Sequence, residues 1–367
     1  MLNFHTAMFS NFRKETSERS DAMNWAKQSL MRDTPFHYDS IEGCNENNLN
    51  LVTHLMERAR VDYDGVDDMD AGAVCEAVVR MEGMEVMERK INFANAFHVK
   101  LSYVLYNDES QKVWLYEFER VGDLRFVRGY ESYEAFSGWI AEIKGWKSSK
   151  TYRETADLPF FDRELRRFGT AWPTNIDCFV STPDNRPVAI LEFQNAKNTS
   201  VIDHCNNEFF LCKQEIRDAS TGSVKYHDDI RRWLSQEILR VQSGLRLFIV
   251  TWAQDSVDFI LKEVERITFP DLPFEKDWTL TNNYKRDMHE YSVKKDRESG
   301  MKISKNYHTY NLEYEDYSMK INRHAPPLTA SEKTFPFMYY RTKDMVLCDD
   351  NELPKRFTAR LTAFNAF

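Results

Sequence analysis

Glycine and proline are scarce in this chain, 12 and 11 among 367 residues. So few punctuating residues exclude a collagen-like or low-complexity polymer and point to long regular elements joined by compact connections. Cysteine is scarce too. Cys44, Cys75, Cys178, Cys205, Cys212 and Cys348 show no paired framework, and several sit in apolar runs where a thiol behaves as a small hydrophobe. No stretch approaches the roughly 18 to 20 apolar residues that span a bilayer. The opening Met-Leu-Asn-Phe-His-Thr-Ala lacks the basic flank and apolar run of a secretory signal. The expectation is a reduced, cytoplasmic protein with no membrane partner. A surplus of positive charge is also missing: 49 Lys and Arg stand against 58 Asp and Glu, a net charge of −9. That weighs against a broad basic footprint for nucleic acid and leaves room for a local one.

What is plentiful is aromatic surface, 14% of residues, within an ordinary globular balance of 42% hydrophobic and 29% charged residues. The length allows two buried cores. No repeat of 20 to 50 residues is present. The first 90 or so residues read mostly as helices between polar loops. Asp62 to Asp70 looks calcium-like, but Gly65 falls two places early and Ala73 stands where a bidentate acid belongs, so an exposed acidic loop is expected. Residues 98–130 turn β-rich, and Phe136, Trp139, Ile140 and Ile143 then repeat at helical spacing over Tyr133–Ile143. These segments predict an N-terminal α+β domain over 1–146. A polar linker over 147–157, a core over 158–270 and an extension over 271–367 follow.

The chemistry concentrates in one predicted hairpin. Asn175–Ser181 and Val188–Gln194 flank the turn formers Thr182-Pro-Asp-Asn-Arg-Pro187. In a symmetric, unbulged hairpin Ser181 faces Val188 and Asp177 faces Glu192. Ile176, Cys178, Val180, Ala189, Leu191 and Phe193 then form a wholly apolar opposite face. Two opposed carboxylates, with Cβ atoms roughly 4.5–5.5 Å apart, repel. One of them is protonated, a divalent cation bridges them, or they stand harmlessly solvated at an exposed edge. Behind the hairpin, Asp228-Asp229 opens a helix with Ile230, Leu234, Ile238, Val241 and Leu245 along one face and Gly244 near its end. Leu247–Trp252 then reads as a buried parallel strand.

Asp177 followed by Glu192-Phe193-Gln194 at the end of an apolar strand resembles the D…(E/D)-x-K signature of the PD-(D/E)XK nuclease superfamily. The resemblance covers roughly residues 158–267. It implies a restriction-endonuclease-like mixed sheet flanked by helices, an α/β fold. It also implies Asp177 and Glu192 as ligands of Mg²⁺ or Mn²⁺, completed by the backbone carbonyl of Phe193, and Gln194 as the residue that orients the attacking water. Cleavage of a phosphodiester to a 3′-hydroxyl and a 5′-phosphate follows from it. Two departures stand out. Gln194 occupies the position of the usual lysine, for which Lys197 is a candidate substitute. Gly169 to Thr174 leaves no room for the strand the family places before its Asp-bearing strand. Glu164 matches the family's accessory glutamate only if its helix is the equivalent one, and otherwise reads as a surface residue.

Three further features carry less. His204, Cys205, Cys212 and His227 fit no zinc-finger spacing. Trp172-Pro173 reads as packing. Tyr284-Lys-Arg, Lys294 to Arg297 and Lys302 to Tyr310 interleave basic and aromatic residues, a pattern that tracks a nucleic-acid backbone or simply forms exposed amphipathic strands. The functional expectation is a metal-dependent nuclease acting on DNA in preference to RNA, of a restriction or defence kind, with a homodimer left open. The alternative is a nuclease-fold protein that binds nucleic acid or another partner without cutting.

Overall fold

The structure is a computed structural model that describes residues 30–47, 50–62, 66, 70–145, 147, 158–196, 201, 214–217, 219–227, 230–253, 258–268, 286–287, 337–340, 346–349 and 351–362. Its strands are β1 (His37–Glu46), β2 (Val52–Arg60), β3 (Leu101–Tyr106), β4 (Val113–Arg120), β5 (Asp123–Tyr130), β6 (Thr174–Ser181), β7 (Pro187–Asn195), β8 (Gln214–Arg217), β9 (Val224–His227), β10 (Arg246–Trp252), β11 (Asp258–Thr268), β12 (Phe337–Tyr340) and β13 (Val346–Asp349). The helices are α1 (Ala71–Glu82), α2 (Met84–Ala96), α3 (Tyr133–Lys144), α4 (Phe160–Arg167), α5 (Ile230–Ser243) and α6 (Glu352–Thr362). Mixed sheet and helices make the class α/β, as expected. Two compact units emerge: residues 1–27, 35–190 and 242–245 form one, and residues 28–34, 191–241 and 246–367 the other. The sequence drew its break at 147–157, most of which lies outside the described residues. The units divide within β7, between Ile190 and Leu191.

In the first unit the strand order is β7-β6-β1-β2-β3-β4-β5. β2 and β3 are parallel, so the chain between them crosses over, as α1 and α2. The two helices are separated by Gly83 alone, whose φ of 94° ends the first and whose N–H donates to the Val79 carbonyl. β1 and β2 correct the helical reading of the first 90 residues. β2, Val-Thr-His-Leu-Met-Glu-Arg-Ala-Arg, is rich in helix formers. It is a strand because both of its faces are buried, Leu55, Glu57 and Ala59 on one and Met56 and Arg58 on the other.

Each buried charge on β2 finds its counter-ion on a helix. Glu57 accepts from Lys90 of α2 at 2.9 Å, and Lys90 also reaches Glu82 at 3.3 Å. On the other face Arg58 grips Asp162 of α4 with two bonds of 2.9 and 3.0 Å. Its guanidinium lies 4.6 Å from the Trp172 ring and 5.6 Å from that of Phe161. Burial is the largest single influence and works against the charge of Arg58, but Asp162, Tyr106 and Glu42 together outweigh it and the pKa ends raised. Around this pair lies an aromatic core that includes Tyr106, Tyr130, Tyr133, Phe136 and Phe161, with Trp139 and Trp172 packed against it. Trp172 is therefore packing, as its sequence suggested. The surface reading of Glu164 is corrected: it is 5% exposed and pairs with Arg167 at 2.9 Å.

Trp172 also constrains β1. Its indole N–H donates to the Glu42 carbonyl at 3.0 Å, and its ring lies so close to Gly43 that a Cβ there would meet Nε1 at 2.9 Å and Cε2 at 3.1 Å. Held by that bond and by Arg58, the ring has little freedom to retreat. Gly43→Ala is expected to lower the unfolding free energy by about 1–3 kcal/mol through overpacking, read as a shift in the urea midpoint with an unchanged slope. An unshifted midpoint would show that the indole yields.

At the end of α3, Lys144 is held down to about 8, first by burial, with Glu46 and the Cys44 thiol pulling the other way. Burial in turn keeps the Cys44 thiol well above its usual range. Between pH 8 and 10.5 the unfolded chain keeps a proton on this lysine that the folded chain has released, so its contribution to stability rises with pH across that window. The ammonium is partly solvated, which reduces the effect to roughly 1–2 kcal/mol. Wild type measured against Lys144→Met should gain this much between pH 8 and 10; parallel pH profiles would remove the argument.

In the second unit the strand order is β12-β11-β10-β7, with β13 also on β11. β10 and β11 pair antiparallel from Leu247↔Val264 to Trp252↔Phe259. The Ala196 N–H, just past β7, donates to the carbonyl of Trp252 at the end of β10 at 2.7 Å, so the two strands finish together as parallel neighbours do. Strand, crossover helix α5 and buried strand are present as read. β8 and β9 form a separate two-stranded hairpin in the insert. Arg246 and Arg360 both bond Glu263, and Phe357 of α6 packs edge-on to Phe248 at 5.1 Å. Among the described residues no helix is long and apolar enough to cross a membrane.

Candidate functional site

The hairpin that carries the expected acids is present, with a different register at its turn. Thr182 N–H donates to the Arg186 carbonyl at 2.9 Å, Asn185 N–H donates to the Thr182 carbonyl at 2.9 Å, and Asn185 has a φ of 61°. A three-residue loop ending in a left-handed residue sets Thr182 against Arg186, where the symmetric arrangement sets it against Pro187. Asparagine adopts that conformation more cheaply than most residues. The turn is pinned from α2, with Asn92 donating to the Asn185 carbonyl at 3.0 Å and Asn185 donating to Glu88 at 2.9 Å.

β6 is not the regular strand assumed from the sequence either. It pairs with β1 at Asp39↔Phe179 and then at Ile41↔Ile176, so β6 advances three residues while β1 advances two. The extra residue falls at Asp177–Cys178. A bulge of this kind bends the strand and re-aims its side chains. Strict alternation therefore fails at Asp177, and the unbulged pairing is corrected. Asp177 is 8% exposed and accepts from Asn175 Nδ2 at 3.1 Å. The strand that pairs with β6 on its other side is β1, antiparallel and from more than a hundred residues upstream.

Glu192, Phe193 and Gln194 belong to the second unit, where β7 is buried: Glu192 is 2% exposed, Phe193 4% and Gln194 6%. Residues two apart share a strand face, so Glu192 and Gln194 point together and Phe193 points away. α5 supplies what lies over Glu192. Gln236 donates Nε2 to Glu192 Oε2 at 2.9 Å, and Arg232, one turn earlier, forms an ion pair with Oε1. Sequence reasoning did not find these two residues. It placed Val241 on the buried face of the helix, yet Val241 is 63% exposed, whereas Trp233, Gln236 and Leu239 are 0%, 4% and 2% exposed. The spacing 233, 236, 239 puts Gln236 in the middle of the apolar stripe, and that position was the available signal.

Two buried oxygens in this cluster, Gln194 Oε1 and Gln236 Oε1, have no hydrogen-bond partner among the described residues. Burying such acceptors costs about 1–3 kcal/mol each unless something donates to them or coordinates them. One carboxylate and two carboxamide oxygens are hard donors of the kind Mg²⁺ and Mn²⁺ prefer. The charge of Glu192, which the sequence reading assigned to a cation, is balanced here by Arg232, whose side chain is 42% exposed against 3% for the acid. Among the described residues no three His, Cys, Asp or Glu gather in a metal-holding group.

Lys197, Asp228-Asp229, His204-Cys205 and Cys212 lie outside the described residues, as does nearly all of the basic-aromatic stretch from Tyr284 to Tyr310 and much of the acidic loop before α1. Cys44, Cys75 and Cys178 are buried free thiols. Compared with models of known families, with curated proteins and with solved structures, the chain matches none.

Proposed function

We propose that the chain is a divalent-metal-dependent phosphodiester hydrolase of the restriction-endonuclease-like kind, acting on DNA, with its chemistry on β7. The observation that carries this reading is the buried polar face of β7. Glu192 and Gln194 stand together in an otherwise apolar strand, with an oriented carboxylate and orphaned carboxamide oxygens beside them. A strand fully buried for packing alone gains nothing from such residues, and each polar group costs desolvation.

Glu192 and the backbone carbonyl of Phe193 would hold the cation. A Mg²⁺ or Mn²⁺ bound there supplies Lewis acidity for the phosphorus and lowers the pKa of a water. Gln236 fixes the Glu192 carboxylate by its 2.9 Å bond, so that the lone pairs on Oε1 keep one direction. Gln194 is neutral where the motif usually carries a cation. It contributes a hydrogen bond that orients the water and leaves charge stabilisation to other groups.

The ion pair between Arg232 and Glu192 favours a second reading, a nuclease-fold protein that grips nucleic acid without cutting it. Full-length protein incubated with plasmid, single-stranded DNA and RNA, with Mg²⁺, Mn²⁺ or EDTA, separates the two. Metal-dependent cleavage that disappears in Glu192→Ala is the expected result. Retention of the nucleic acid on a gel with no cleavage under any metal would overturn the first reading in favour of the second.

A further inference from the structure

We infer that the cleft between α1, α2 and the β4–β5 turn binds a small organic cation, a primary ammonium carried on an apolar body. The cleft measures about 620 Å³, within the range of small-ligand pockets. Its residues all belong to the first unit, whereas Glu192 belongs to the second. Val79 on α1 and Met84 and Ile91 on α2 give it apolar walls, and Val121 of the β4–β5 turn adds to them. Met84 is 65% exposed, a flexible side chain at the rim that the apolar body of a ligand would cover.

The polar chemistry of the cleft is one-sided. Glu88, Asn92 and Asn95 line it from a single stripe of α2, at the i, i+4 and i+7 positions that follow one another along a helix. Glu88 accepts at Oε2 from the neutral Asn185 amide, and among the described residues no lysine or arginine pairs with it. Asn92 donates Nδ2 to the Asn185 carbonyl, which leaves its Oδ1 as an acceptor, and the Asn95 carboxamide makes no hydrogen bond among the described residues. An unmatched carboxylate with two carboxamide oxygens along the same stripe suits an ammonium group, which has three donors and no acceptor. An anion is disfavoured. Glu76 and Glu119 bring two further carboxylates to the lining, while its one arginine, Arg120, faces Asp123 at 3.5 Å. Those two acids have Arg80 and Lys100 as partners, so Glu88 is the charge that a ligand would neutralise. A bare metal ion is disfavoured as well, since the described residues gather no group of three His, Cys, Asp or Glu that could hold one. The length of the apolar body follows from the helix. Met84 lies about 12 Å along the axis from Asn92, the reach of an aryl-alkyl chain such as phenylbutyl.

Titration calorimetry on the full chain with phenylbutylamine tests this, beside phenylbutanol, phenylbutyrate and the trimethylammonium analogue of the amine. The amine should bind about tenfold more tightly than the alcohol or the trimethylammonium compound, the gain of a charge-assisted hydrogen bond, and the carboxylate should not bind. Glu88→Gln keeps the shape of the side chain and an oxygen for Asn185, and should weaken the amine about tenfold without affecting the alcohol. Asn95→Asp adds a carboxylate to the stripe and should tighten the amine, a gain that a misfolded variant cannot mimic. Glu134→Gln, at an exposed acid on α3, should leave the affinity unchanged. An alcohol that binds as tightly as the amine would reduce the cleft to an apolar groove and overturn the ammonium site. A trimethylammonium compound that matches the amine would overturn it too, because that cation has no N–H to donate. Equal losses in Glu88→Gln and Glu134→Gln would assign the attraction to the negative charge of the whole chain, and no binding of the amine by wild type would remove the site altogether.

Discussion

Asp162→Ala should lower the unfolding free energy by about 3–5 kcal/mol, the cost of leaving a buried cation without its counter-ion. Arg58 is 6% exposed, donates to both carboxylate oxygens of Asp162 at 2.9 and 3.0 Å, and among the described residues has Glu42, at 3.8 Å, as a further acid. That third group is too far and too awkward to replace a bidentate bond. The rings of Trp172 and Phe161 attract the guanidinium but offer it no acceptor. The loss should exceed that from any surface ion pair of the chain, such as Arg80–Glu76, where both side chains are more than half exposed. The double replacement Arg58→Met with Asp162→Leu removes both charges and keeps volume, so it should sit closer to wild type than Asp162→Ala does. Urea unfolding followed by tryptophan fluorescence reads all three, because Trp172 reports directly on the pair. A single replacement that costs under 1 kcal/mol would show that water reaches Arg58 in the folded chain.

Where the signals are local, the fold could be read in advance. Apolar spacing of three and four residues marks α3, which runs Tyr133–Lys144 and ends on Gly145 with a φ of 71°. The cluster Thr182 to Pro187 marks a turn, and Gly244, with a φ of 67°, follows the last turn of α5. β1 and β2 could not be read this way. Their burial depends on partners far along the chain: Arg58 on Asp162, 104 residues away, and β1 on β6. No window of a dozen residues contains that information, and the helix formers of β2 argue for the wrong element. The site divides in the same manner. Glu192 and Gln194 are legible because polar residues interrupt a buried strand. The bulge at Asp177 is not, since it arises from the register against β1 and no glycine or proline marks it in the sequence. Gln236 was legible in principle from its place in the Trp233–Leu239 stripe, but a polar residue on an amphipathic helix reads as exposed unless the stripe is drawn first. Arg232 is legible only as a neighbour of Gln236 one turn away.

Glu192→Gln should reduce metal-dependent cleavage by about a thousandfold while leaving the fold intact. The two side chains have the same shape. A carboxamide at position 192 still presents an oxygen to Gln236 Nε2, and Arg232, already 42% exposed, can hydrate when its partner loses charge. Thermal stability should therefore change little and can even rise, since a buried carboxylate with its desolvation cost is gone. Catalysis has no such compensation. A neutral oxygen holds a divalent cation poorly, and the several kcal/mol that metal-assisted charge stabilisation contributes to phosphodiester cleavage correspond to about three powers of ten. Gln236→Leu offers a graded comparison. It keeps the Glu192 charge but removes the bond that orients it, so its loss should be smaller, about ten- to a hundredfold. Rates for the two variants, with Mn²⁺ in place of Mg²⁺ as a partial rescue, rank the charge against its orientation. Cleavage by Glu192→Gln at the wild-type rate would move the chemistry off β7 altogether.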